Sequence, residues 1–226
     1  MMSMRPVLEI FAPDGFTLWP TGSHAPHLEL TLTGRLTPAE VGMAVWRLAV
    51  CNDVEPDPEQ AEERGPRPAD PLGAFLHGLL TEPHPHAPGG LVLSDSVTGA
   101  VFEPGCCNGL EDWREWRDAT DGSGTAWFGH DPDARAERVG RVVRLTQDAG
   151  DREDSEDGED GEDGEDRDDT VIELPVDELR RLLAGAEQDL LDFLALVASW
   201  AGQQVPEHAE TVTAALARAL DLEPPA

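Results

Sequence analysis

The residues best suited to chemistry in this chain are two adjacent thiols, Cys106 and Cys107. They follow a Pro104-Gly105 turn and precede Asn108, which with Glu111 three residues on reads as a capping box. In such a box the Asn side chain accepts from an early helix N–H, and the Glu reaches back to the cap. A sulfur just before the electropositive end of a helix is favoured as thiolate, the nucleophilic and metal-binding form. Cys107 is then the candidate nucleophile, with Asn108 as a donor. A cysteine nucleophile also wants a base. Among His24, His27, His77, His84, His86, His130 and His208, the best match is His130, because Asp131 adjoins it. Cys107, Cys106, His130 and Asp131 are therefore the catalytic candidates. Glu111 and Asp112 oppose thiolate formation, and the pair equally suits two small buried residues at a tight strand-to-helix turn. The architectural reading is the preferred expectation.

A metal is not expected. Structural zinc uses about four ligands and separated pairs such as Cys-x-x-Cys, which adjacent Cys106 and Cys107 lack. They would need Cys51, or His84 and His86, brought close by the fold. No cofactor is indicated either. There is no phosphate loop, dinucleotide fingerprint, Gly-x-Ser-x-Gly elbow or His-Glu-x-x-His helix.

Trp113 and Trp116 lie three apart on the expected helix, interleaved with Arg114 and Arg117. Trp and Arg dominate binding hot spots, so these four residues form a candidate partner-binding face. The same spacing also describes an aromatic stripe packed on a sheet with the arginines outside.

The elements that must position these groups read as a mixture. Residues 7–11, 16–19 and 28–32 are short, partly alternating runs separated by turns, an antiparallel meander. Thr37, Pro38 and Glu40 open a helix over 37–51. Residues 52–70, rich in Pro and charge, read as a mobile loop. A helix over 71–80 follows, then a hairpin of 91–93 with 100–102. Residues 139–146 and 170–174 read as paired strands. Between them the tract 148–169 holds 14 acidic residues and 2 Arg in Glu-Asp-Gly repeats, a disordered insertion at a hairpin tip. The apolar repeat from Leu179 to Trp200 is helical, with Asp177 as a cap and Gly202 as a stop, and a second helix follows Pro206. The expectation is α+β: a single domain over 1–226, its mainly antiparallel sheet covered by an N-terminal helix and a C-terminal helical hairpin.

The formal charge is −30, from 46 acidic and 16 basic residues, every basic one an Arg. Without Lys there is no Schiff-base chemistry. Strong acidity disfavours nucleic acid and anionic membranes and suits a basic protein partner. Three cysteines do not make a secreted disulfide framework, and residues 1–20 lack a signal-peptide pattern, so a reducing cytoplasm is the default. The leading expectation is a small acidic protein that works by binding another protein, in a toxin-neutralising (immunity) or regulatory role. The rival is a thiol-dependent enzyme or redox protein using Cys107.

Overall fold

The computed structural model describes residues 1–22, 28–54, 64–121, 124–148 and 169–223. His24, His27, part of the expected loop at 52–70 and nearly all of the acidic tract lie outside the described residues. The chain is α+β. Where one sheet was expected, the described residues form two, each of four strands. The first has the order β2-β1-β3-β4, from β1 (Met2–Ile10), β2 (Leu28–Thr31), β3 (Gly89–Asp95) and β4 (Val101–Phe102). The second has the order β5-β6-β7-β8, from β5 (Thr125–Trp127), β6 (Ala134–Val139), β7 (Val142–Gln147) and β8 (Thr170–Pro175). Chain contacts separate into two interleaved compact units.

The first unit comprises Met1–Met4, Val92–Asn108 and Glu115–Leu183. Its sheet follows from alternation. In β6 the small residues Ala134 and Ala136 are buried while Arg135 and Glu137 are exposed. The register sets Ala136 opposite Leu145 and Leu145 opposite Ile172, one continuous apolar row. On the other face Glu137 opposes Arg144, and Arg144 opposes and pairs with Glu173 at 2.7 Å. Opposite charges across strands each contribute roughly 0.2–1 kcal/mol, so the two faces agree on one register. Of the run at 139–146, expected as one strand, Val142 onward is β7 while Val139 ends β6, and the turn between them is at Gly140, which takes φ 68°. Glycine meets that left-handed turn without a steric penalty. The expected pairing around the tract is present, with Gln147 opposite Thr170. A short helix α3 (Trp116–Asp121) also belongs to this unit. Its Trp116 stacks on Phe128 at 4.2 Å and meets Phe102 edge-on at 5.5 Å.

The second unit comprises Arg5–Leu91, Gly109–Arg114 and Ala184–Ala226. Helix α1 (Pro38–Cys51) opens with the expected capping box of Thr37 and Glu40. Helix α2 (Pro71–Thr81) is capped by Asp70. The expected meander is reduced to two antiparallel strands, with Leu8 opposite Leu30. Residues 16–19 form no strand because their aromatic rings are used sideways. Trp19 meets Phe16, Phe75 and Trp200 edge-on at 4.8–5.6 Å and donates from Nε1 to the Gly42 carbonyl. Helix α4 (Val176–Gln204) starts one residue before Asp177, so that residue sits in the first turn instead of capping. It runs through Gly202 as well, and stops only before Val205 and Pro206. Helix α5 (Ala209–Ala219) follows.

The capping box expected at Asn108 is not formed. The chain enters a 3-10 turn, Leu110–Glu115, and the Glu111 carboxylate is taken elsewhere. It accepts from Ala87 N at 2.8 Å and contacts His86 Nδ1 at 2.5 Å. That ion pair holds His86 above the usual imidazole range.

Candidate functional site

The two thiols lie in the first unit at a place where two stretches of backbone come unusually close. Phe102, Trp116 and Phe128, from the flanking segments, pack on one another as an aromatic cluster. Next to it, Gly105 N donates to Phe128 O at 2.8 Å. Cys106 and His130 then form an isolated antiparallel bridge, Cys106 N to His130 O at 2.6 Å and His130 N to Cys106 O at 3.3 Å. The bridge depends on two glycines. A side chain on Gly105 would collide with the carbonyls of His130 and Pro132, and one on Gly129 with those of Gly105 and Cys106. Gly129 also sits at φ 98°. The loop beyond it closes through Phe128 N to Ala134 O at 2.7 Å and Ala134 N to Gly129 O at 3.2 Å.

This scaffold brings together residues 24 positions apart in sequence. Cys106 Sγ is 3.0 Å from His130 Nδ1 and 3.5 Å from Nε2. His130 Nδ1 is also 2.9 Å from Asp131 Oδ2. Cys107 Sγ lies 3.8 Å from Cys106 Sγ. In an extended chain consecutive side chains point to opposite faces. Cys107 avoids this by adopting φ 65°, which turns its sulfur back beside its neighbour. Asp131 is likewise at φ 52°. Only three described non-glycine residues have positive φ, and two of them are here. Such conformations cost about 1–3 kcal/mol each and persist only where the surroundings impose them.

Cys106, Cys107 and His130 are all exposed, so the expectation of two buried structural sulfurs is corrected. The active pairing also shifts. Cys106, and not Cys107, is the sulfur in contact with His130. The helix terminus expected to favour a thiolate is absent, and the imidazole takes its place as the polar neighbour. A thiol–imidazole–carboxylate relay would use the two ring nitrogens separately. Here thiol and carboxylate converge on Nδ1. Trp127, 48% exposed, lies 6.3 Å from the His130 ring and donates from Nε1 to Asp133 Oδ1.

The other candidates are placed differently. Cys51 donates from Sγ to the carbonyls of Leu48 and His86, and burial pushes its thiol up to about 11. Trp113 and Trp116 are each 1% exposed, so the expected partner-binding face has no aromatic anchors at the surface. Trp113 donates from Nε1 to Leu220 O at 2.9 Å. Arg114 lies over the Trp113 ring, donates to Asp221 O and pairs with Glu187 and Asp221. Arg117 is exposed. Sequence reasoning singled out His130 but had no link between it and the thiols. The available signal was a glycine directly before each partner, Gly105 before Cys106 and Gly129 before His130.

No described helix is long and apolar enough to cross a membrane. No protein-family model, curated protein or solved structure matches the chain.

Proposed function

We propose that the protein acts through the sulfur–imidazole centre of the first unit, with Cys106 as the reacting sulfur. The observation that carries this is the 3.0 Å contact between Cys106 Sγ and His130 Nδ1, held by the backbone bridge between the same two residues. The thiolate is the nucleophile and the ligand, and a neighbouring base supplies it. On this reading the Sγ–H bond of Cys106 breaks and its proton passes to the His130 ring. The sulfur lone pair is then available to a soft electrophile. Asp131, 2.9 Å from Nδ1, offsets the charge that the ring acquires. The exposure of the centre suits an electrophile delivered from solution or on another molecule. Backbone strain at Cys107 and Asp131 supports a site with a task, since strain of this kind gathers where function maintains it.

Site-resolved alkylation of the reduced protein tests the proposal. With His130→Gln the rate at Cys106 should fall by at least about tenfold near neutral pH, while Cys107 changes less. An unchanged Cys106 rate in a folded variant would overturn it.

Binding of a basic protein partner, in a toxin-neutralising or regulatory role, is the second reading. Its support is the net charge of −30, which steers association with a basic surface. It draws nothing from Trp113 or Trp116.

A further inference from the structure

We infer that Cys106, Cys107 and His130 form a binding site for one thiophilic divalent metal ion of the zinc class, with Asp131 orienting the histidine. This rests on the sulfur-centred reading above and names the electrophile that the sulfurs take; as the ion binds, the thiol protons leave to solvent and His130 ligates as neutral imidazole.

The argument is one of distances. Zinc bonds thiolate sulfur at about 2.3 Å and imidazole nitrogen at about 2.0–2.1 Å in a tetrahedral arrangement. Two sulfurs on such an ion are then roughly 3.8 Å apart, and a sulfur and a nitrogen roughly 3.5 Å apart. The two sulfurs here are 3.8 Å apart, and Cys106 Sγ is 3.5 Å from His130 Nε2; it stands nearer Nδ1, at 3.0 Å, so sharing an ion with Nε2 needs the sulfur to swing toward that side of the ring. One ligand atom from each of the three residues can be chosen with all separations within 4.8 Å. Closing the remaining edge to roughly 3.5 Å is a rotamer-scale movement of exposed side chains.

The crowding at Nδ1 that fits a proton relay badly fits this arrangement well. A metal-bound histidine ordinarily donates its other ring N–H to a carboxylate, which fixes tautomer and ring orientation. Asp131 Oδ2 stands 2.9 Å from Nδ1, leaving the Nε2 lone pair for the ion. The left-handed turn at Cys107 has the same purpose on this view. It converts two neighbours that would diverge into a two-sulfur bite. Direct oxidation of the pair is the competing fate, and geometry opposes it. Adjacent Cα atoms lie about 3.8 Å apart, whereas disulfides usually span about 4.4–6.8 Å. Closure of a disulfide within the pair is therefore disfavoured, which leaves both sulfurs available as ligands in the reduced protein. The site supplies three protein ligands, so the fourth position is open to water or an outside ligand, the pattern of zinc sites that do chemistry.

Spectroscopy on the reduced full-length chain tests this, because the many carboxylates bind divalent ions weakly without sulfur. Cobalt(II) titration should give one thiolate-to-cobalt charge-transfer band that saturates at one ion per chain. Zinc should then displace the cobalt. Cys106→Ser or Cys107→Ser should abolish saturable binding, and Asp131→Asn should weaken zinc roughly 10–100-fold while keeping the band. Circular dichroism confirms that each variant is folded. No charge-transfer band, or a band unchanged in Cys107→Ser, would overturn the metal site. His130-dependent alkylation with no cobalt band would remove the metal but leave the thiol centre; if neither appears, both proposals fall.

Discussion

Cys106 and His130 are joined at two levels, by a pair of backbone hydrogen bonds and by a side-chain contact of 3.0 Å. The side-chain contact is a consequence of the backbone bridge, which in turn needs Gly105 and Gly129 to have no Cβ. Gly129→Ala should therefore act on the site before it acts on the fold. The substitution adds a collision with the Gly105 and Cys106 carbonyls to the cost of φ 98°, at least about 1–3 kcal/mol. Urea melts should register that loss, and alkylation of Cys106 should become insensitive to His130→Gln. A variant with wild-type stability and an intact His130 effect would contradict this account.

The three thiols should separate cleanly under alkylation. Cys51 is bonded to two carbonyls and burial holds its thiol at about 11, far from thiolate formation at neutral pH. Iodoacetamide on the native reduced protein should modify Cys106 and Cys107 and leave Cys51 until denaturant is added. Intact-mass and peptide mapping decide it; prompt labelling of Cys51 would place that sulfur in a looser environment than described.

Trp113 should matter for stability and not for recruitment. Its ring is buried and its Nε1 is bonded to Leu220 O. Trp113→Ala should cost about 3–5 kcal/mol, and Trp113→Phe less, chiefly the stranded carbonyl at about 1–3 kcal/mol. Chemical denaturation of both variants checks the order. A Trp113→Ala protein as stable as wild type would return the ring to the surface.

The His86–Glu111 pair sets a pH dependence with a definite sign. The hydrogen bond that His86 donates to the Glu111 carboxylate raises the folded-state pKa of His86 above its unfolded value of about 6.5. Its contribution is fully present below about 6.5 and is lost as the pH rises through the raised folded value. The advantage of wild type over Glu111→Gln in thermal melts should therefore shrink as the pH rises above about 6.5. Both groups are partly exposed, so salt should reduce the effect. An advantage that grows with pH would refute the pairing.

Replacing residues 149–168 by a four-residue turn should leave the fold intact. Gln147 and Thr170 are already opposite one another, so the ladder closes without the tract. By the length dependence of loop closure, shortening the connection almost fourfold recovers about 1 kcal/mol of closure entropy. A melting temperature equal to or above wild type is expected, and a collapsed fold would overturn the insertion reading.

Local signals carried well from sequence to structure. Thr37 and Glu40 close their box, and the expected hairpin is present, with Leu93 opposite Phe102 and Ser94 opposite Val101. The β7–β8 pairing and the two C-terminal helices were legible from alternation and period. What failed was local pattern overruled by distant partners. Glu111 left its expected cap for His86 and Ala87. Phe16 and Trp19 gave up strand geometry to join rings from α1, α2 and α4. The site is the clearest case. Its four residues were all candidates, yet their assembly follows from two backbones touching at glycines, which no periodicity records.

The closed rung between Gln147 and Thr170 also frees the molecule's charge from its architecture. Each Glu-Asp-Gly triplet gained or dropped beyond that rung alters the total by two units of negative charge and shifts no residue of either strand.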